Sequence, residues 1–145
     1  MDIKAPSIPA TPGPRFDLPT IEDESRAFWE AARAGKLMVG SCNDCGKLHY
    51  YPRPMCPHCW SQDTTLKEVS GQGVIYTWST VFVNDLPPFK ERLPYVAAQV
   101  DLVEGLRITT NLVDCDPDQL TIGQAVSVVF APISDTVTIP VFRPA

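Results

Sequence analysis

The 145-residue chain carries a formal net charge of −5 and is 44% hydrophobic, the balance of one ordinary folded domain or of a small metal-stapled module beside a compact barrel. No apolar run approaches the length of a membrane span, and Met1-Asp2-Ile3-Lys4 opens no apolar signal segment. The acidic balance argues against a phosphate-rich partner such as nucleic acid, and Cys115, which has no evident disulfide partner, fits a reducing, cytoplasmic setting.

Residues 1–19 contain Pro6, Pro9, Pro12, Pro14 and Pro19, a density that prevents a helix and favours an extended, polyproline-like arm. Such an arm builds no core alone, so it is either disordered or laid across a neighbouring surface. A helical segment over 20–36 follows, with Thr20 as expected N-cap, acidic Glu22, Asp23 and Glu24 in the first turn facing the positive end of the dipole, and Gly35 as its stop. Ile21, Phe28, Ala31 and Ala32 share one broad face. Trp29 either packs on the segment that follows or serves as an anchor for a partner.

Residues 37–64 hold the strongest chemical signal, two C-x-x-C pairs, Cys42-Asn-Asp-Cys45 and Cys56-Pro-His-Cys59, separated by the spacer Gly46–Met55. A two-residue gap lets one tight turn aim both sulfurs at the same point, and two such turns on adjacent hairpin ends complete a tetrahedral thiolate site for structural zinc. The spacer is long enough to leave one turn and return as a strand, read here over Leu48-His49-Tyr50-Tyr51 before the Pro52-Arg53-Pro54 bend. Gly46 follows the first pair where a small residue tolerates positive φ; Trp60 holds the equivalent place after the second.

Redox pairs, disulfides and iron are the rivals of zinc. A thioredoxin-type pair should open a helix, which Pro52, Pro54 and Pro57 disfavour, and disulfides suit an exported protein. With four cysteine ligands the metal is closed to catalysis, and His49 and His58 read as bystanders. Arg33, Lys36, Lys47 and Arg53 bracket the ribbon with only Asp44 against them, as a solvated face or as a site for an anionic ligand or acidic partner.

From residue 65 to 145 the texture is that of strands, expected over 65–69, 74–83, 95–102, 106–113, 125–131 and 136–142, with Glu104-Gly105 as a hairpin turn. Gly71 and Gly73 allow a long strand to bend sharply. The fold class is therefore mainly β: an N-terminal helix, a zinc ribbon, then a five- or six-stranded Greek-key barrel of the OB type.

Little in this pattern carries catalytic chemistry. The only two histidines lie in the ribbon, Asp114, Asp116 and Asp118 surround Pro117 in a surface turn, and Cys115 has no visible base beside it. The connection 84–94 is long for a barrel hairpin and carries Leu86, Pro87, Pro88 and Phe89, residues that either dock on a protein or acyl chain or fold back on the barrel. Tyr76, Trp78 and Phe82 stand at alternate positions of one expected strand; as a stacking platform they would make the chain a single-strand nucleic-acid module, the competing function.

Phe28-Trp29-Glu30, Gly35-Lys36-Leu37, Cys42-x-x-Cys45-Gly46, Pro52-Arg53-Pro54-x-Cys56-Pro57-x-Cys59, Pro94-Tyr95-Val96-Ala97 and Asn111-Leu112-Val113-Asp114-Cys115, in that order, resemble the domain of unknown function 35 family. The resemblance implies a rubredoxin-like zinc ribbon joined to an OB fold, and a role as a non-catalytic accessory subunit of thiolase-superfamily enzymes. Those enzymes include acetyl-CoA acetyltransferases, hydroxymethylglutaryl-CoA synthases, thiolase-like aldolases and aromatic C-acetyltransferases, and the partner supplies the reactive residues. It further implies that the subunit bridges the assembly and helps form its acyl-CoA channel. On that basis Trp29, Leu86 and Phe89 are expected to touch the partner, and Arg33, Lys36 and Arg53 to approach CoA phosphates. The arm lies outside the resemblance.

Overall fold

Helix α1 (Asp23–Arg33) starts later than Thr20, because the first turn is closed by a different residue: the Ser25 hydroxyl, buried under the helix, accepts the Glu22 N–H at 3.1 Å, making Glu22 the N-cap. Asp23 and Glu24 then face the positive end of the dipole as expected. Phe28 is fully buried and meets Tyr50 and Tyr51 edge-on, with ring centroids 5.9 and 5.1 Å apart, so the helix is seated on the ribbon by an aromatic cluster.

The computed structural model describes residues 1–145. After α1 the chain forms a three-stranded antiparallel sheet in the order β2-β1-β3, from β1 (Leu37–Cys42), β2 (Leu48–His49) and β3 (Thr64–Val69). The segment expected as the opening barrel strand is therefore the third ribbon strand, paired with β1 from Leu37↔Val69 to Cys42↔Thr64. Across from His49, Gly40 has no side chain because the imidazole fills that space: a Cβ there would stand 2.1 Å from Nε2.

The other strands, β4 (Gln72–Val81), β5 (Tyr95–Leu102), β6 (Arg107–Leu112), β7 (Ala125–Pro132) and β8 (Thr138–Pro144), close into a barrel in the order β4-β5-β6-β8-β7. This is the five-stranded Greek-key barrel of the OB type. Strict in-out alternation on β5 buries Val96, Ala98, Val100 and Leu102. The hand-over from ribbon to barrel runs through Gly71, at φ +72, where a Cβ would stand 2.1 Å from the Val128 side chain. Leu37, Val39 and Val69 of the ribbon belong to the same apolar cluster as Ile75, Val100, Leu112 and Phe142 of the barrel. Ribbon and barrel thus bury one continuous core.

The proline arm lies across the barrel. Ile3 is buried and bridges Cys115 in antiparallel fashion, its N–H donating to the Cys115 carbonyl at 2.8 Å. Further along, the Phe16 N–H donates to the Pro87 carbonyl at 3.1 Å, tying the arm to the 84–94 connection. No helix is long and apolar enough to cross a membrane.

Because the His49 ring occupies the space over Gly40, Gly40→Ala is expected to lower stability by about 1–3 kcal/mol, measured by denaturant unfolding. Adding His49→Ala to that variant should recover part of the loss.

Candidate metal centre and docking face

Cys42 ends β1, Cys45 follows in the turn leading to β2, and Cys56 and Cys59 sit on the second turn, before β3. In both turns a backbone N–H returns to the carbonyl of the first cysteine: Gly46 N–H to Cys42 at 3.0 Å and Trp60 N–H to Cys56 at 2.9 Å. The Cys45 and His58 amides also point at the Cys42 and Cys56 sulfurs, each at 3.4 Å. These donors stabilise thiolates rather than thiols.

All four Sγ atoms lie within 4.8 Å of one another, with Cys42 and Cys59 3.5 Å apart and Cys45 and Cys56 3.7 Å apart. A tetrahedron with Zn–S bonds of about 2.3 Å has edges of about 3.8 Å, so the cluster has the size of a zinc site. His49 and His58 are not part of it, since the His58 Nε2 lies 3.1 Å from the Leu48 carbonyl and the His49 ring covers Gly40.

Electrostatics within the cluster point the same way. The Cys45 amide is the main influence holding the Cys42 thiol down to about 7. At Cys59 the Ser61 amide also favours ionisation, yet burial and the neighbouring thiols outweigh it and push that group up to about 12. Thiols this close cannot all ionise without a cation among them, and a dication removes the conflict. The residues fit structural zinc; bound there, it would cross-link the two turns, with Cys42, Cys45, Cys56 and Cys59 filling a tetrahedral shell.

The remaining sequence-derived residues are dispersed. Arg33 is exposed at the end of α1 and Lys36 just before β1, while Arg53 lines a cleft of about 630 Å³ together with Glu22, Glu24 and Trp60. Trp29 is half-buried, donating its indole N–H to the Tyr51 hydroxyl at 3.2 Å and packing against Phe28 at 4.9 Å. The 84–94 connection splits its apolar pair. Phe89 turns inward beside Tyr95 at 6.4 Å, with the Arg92 guanidinium over its ring at 5.7 Å, whereas Leu86 is half exposed. Cys115 is buried, and burial first, then Asp114, Asp116 and Asp2, push its thiol up, the opposite of an activated nucleophile.

The alternating aromatics do not form one platform. A register shift between Ile75 and Thr77 places a bulge at Tyr76, after which Trp78 packs against the core while Tyr76 and Phe82 remain outside. Tyr76 is itself covered by the Arg107 guanidinium, 3.3 Å from the ring centroid, and Arg107 is held by Asp101 at 2.7 Å.

Among the most exposed large apolar side chains are Val83 at 79% and Trp60 at 75%, which the sequence left unremarked as contacts, and Phe82 at 67%, which it offered only as part of a stacking platform. Trp60 sits at φ +66, the conformation that Gly46 adopts in the first turn. Its position after the second cysteine pair was the available signal. Phe82 and Val83 lie just past β4, where an expected strand end gave no reason to set them outside.

Residues 29–65 match the ChsH2 rubredoxin-like zinc ribbon domain and residues 66–131 the ChsH2 C-terminal OB-fold domain. A DUF35 domain-containing scaffold protein of Methanocaldococcus jannaschii is 36% identical over 110 residues, covering 74% of this chain and 77% of that protein. The chain belongs to the DUF35 family. A probable enoyl-CoA hydratase alpha subunit of Thermomonospora curvata is 40% identical over 85% of this chain, which spans 38% of that relative's length. The benzoylsuccinyl-CoA thiolase subunit BbsA of Geobacter metallireducens is 34% identical, covering 57% of this chain and 58% of that protein. Among solved structures, the Ltp2-ChsH2(DUF35) aldolase superposes with a TM-score of 0.76 at 37% identity, covering 88% of this DUF35 chain and 98% of the other.

Three outcomes test the centre. Purified protein should carry about one zinc per chain, measured by elemental analysis, and Cys45→Ser should lose the metal and the ribbon's protection from amide exchange. Because the ligands bind as thiolates and must release protons, zinc should be retained at neutral pH and lost as the pH falls. Separately, Trp60→Gly should stabilise the zinc-loaded chain by about 1 kcal/mol, since a left-handed φ strains any residue but glycine.

Proposed function

We propose that this chain is a non-catalytic accessory subunit of a thiolase-superfamily enzyme, and that it docks on that enzyme, stabilises the assembly and helps form its acyl-CoA channel. Bond making, whether acyl transfer, Claisen or retro-aldol chemistry, belongs to the partner. The observation that carries this reading is the pairing of a closed four-thiol centre with the exposed apolar side chains of Phe82, Val83 and Leu86, which lie within one short stretch of chain. Four protein ligands leave a zinc ion no position for substrate. Large apolar side chains clustered at a loop tip mark a surface that another protein covers.

Relatives support it, since one is a thiolase subunit, one a hydratase alpha subunit, and a solved neighbour is an aldolase named with its DUF35 component. Trp29 and Phe89 act in this reading by holding the ribbon face and the loop in shape, while Leu86 makes the contact. Arg33 and Lys36 are the stronger candidates for CoA phosphates, because carboxylates of Glu22 and Glu24 share the cleft of Arg53 and oppose an anion there.

Affinity-tagged protein recovered from its native cell should bring a thiolase-like subunit, identified by mass spectrometry, in constant ratio. Leu86→Asp should weaken that association about tenfold or more while leaving thermal stability and zinc content unchanged. Undiminished association of Leu86→Asp would remove the loop from the interface, and a chain that turns over an acyl thioester alone would overturn the reading.

A further inference from the structure

The loop tip does not stand alone. Arg15, Phe16, Asp17 and Leu18 of the arm run beside it through a bend at Phe16 and Asp17, and burial alternates from one residue to the next. Arg15 and Asp17 turn inward; Phe16 and Leu18 turn outward, Phe16 with 59% of its surface exposed.

An ion triad fixes that alternation. The Asp17 carboxylate, only 3% exposed, accepts from Arg15 Nε at 2.8 Å and from Arg92 Nη2 at 2.7 Å, and Arg15 Nη2 also donates to the Ile133 carbonyl at 2.6 Å. Arg92 belongs to the 84–94 connection and Ile133 to the turn after β7, so the Asp17–Arg15 pair ties the arm to two parts of the barrel, Asp17 through Arg92 and Arg15 through Ile133. A buried carboxylate is tolerated only where such partners meet it, which makes this register specific. Displacing the segment would strand the Asp17 carboxylate without its two guanidinium partners. The Phe16 N–H to Pro87 carbonyl bond then sets the Phe16 backbone directly against the residue after Leu86.

We infer that the arm segment 15–18 completes the docking face of this chain, with Phe16 as an apolar anchor continuous with Leu86 and Asp17 as the positioning residue that holds it. The inference rests on the accessory-subunit reading above, and the occupant is the same thiolase-like subunit. A rigid, pre-positioned aromatic suits a partner of fixed shape, because ordering is complete before contact and binding need not supply it. The arm lies outside both matched domain regions, 29–65 and 66–131, so this part of the face distinguishes the chain from a bare ribbon and barrel.

The test uses the full-length, zinc-loaded chain and the thiolase-like subunit recovered with it, purified and of known sequence. Phe16→Asp should raise Kd about tenfold with unchanged melting temperature and zinc content. Asp17→Asn should speed amide exchange at Phe16, whose N–H bonds to Pro87, and weaken binding together with it. Normal Kd for Phe16→Asp beside weakened binding by Leu86→Asp would overturn the inference and leave the accessory role standing. Asp17→Asn that frees the arm without changing Kd would overturn it equally. Failure of the wild-type chain to bind any thiolase-like subunit would sink the accessory role itself, and the inference with it.

Discussion

Convergence of Cys42, Cys45, Cys56 and Cys59 on a point is the constraint around which the N-terminal half is arranged. Each turn aims two sulfurs and lends them amide donors, but close thiols resist joint ionisation until a dication sits among them. Metal binding is consequently coupled to ribbon folding, and the sheet β2-β1-β3 also draws on the apolar core it shares with the barrel. Strand β1 ends at Cys42 and pairs there with Thr64 of β3, and the two strands carry Leu37, Val39 and Val69 into the barrel core. Thus the zinc centre also positions a wall of the larger domain.

That arrangement explains why the surface features are rigid. The helix is seated on the ribbon through Phe28, Tyr50 and Tyr51, and the arm is pinned to the barrel by the Ile3 bridge and the Asp17 triad. Burial raises the cost of the Asp17 charge, yet the hydrogen bonds from Arg15 and Arg92 outweigh it and hold the carboxyl below the ordinary aspartate range. A group depressed in this way adds stability above its unfolded pKa and loses that contribution as the pH falls through the folded value. The contribution of Asp17 to the docked arm is therefore present at neutral pH and lost in acid, while the backbone bonds of Ile3 and Phe16 remain.

Trp60 shows a different balance. The second metal turn adopts the same left-handed step as the first, but with an exposed indole in place of Gly46. Left-handed geometry costs roughly 1–2 kcal/mol in a residue with a side chain, and an exposed aromatic gains nothing by burial. The turn tolerates the strain because its amide-to-carbonyl bond and its two cysteines over-determine the backbone.

Much of the architecture was legible in the chain itself. Cysteine spacing declares a thiolate tetrahedron because the geometry of one turn suffices to aim a pair of sulfurs, and alternation declares strands because one face of a barrel must be apolar. What no local pattern could reveal was which partners those elements choose. Thr64–Val69 has the texture of any barrel strand and joined the ribbon because β1 offered an open edge in register. The bulge at Tyr76 broke an alternation that the letters alone display as intact, separating Trp78 from Tyr76 and Phe82. Leu86 and Phe89 look alike in sequence, yet Tyr95 and Arg92 give Phe89 somewhere to turn and leave Leu86 outside. The arm's fate depended on Asp17 meeting Arg92, 75 residues away, and on Arg15 reaching Ile133, 118 residues away. Composition and spacing determine which elements form, since those are short-range properties of the backbone and its nearest side chains; only the folded chain, by bringing distant charges and apolar surfaces together, decides which of them are buried and which stay at the surface.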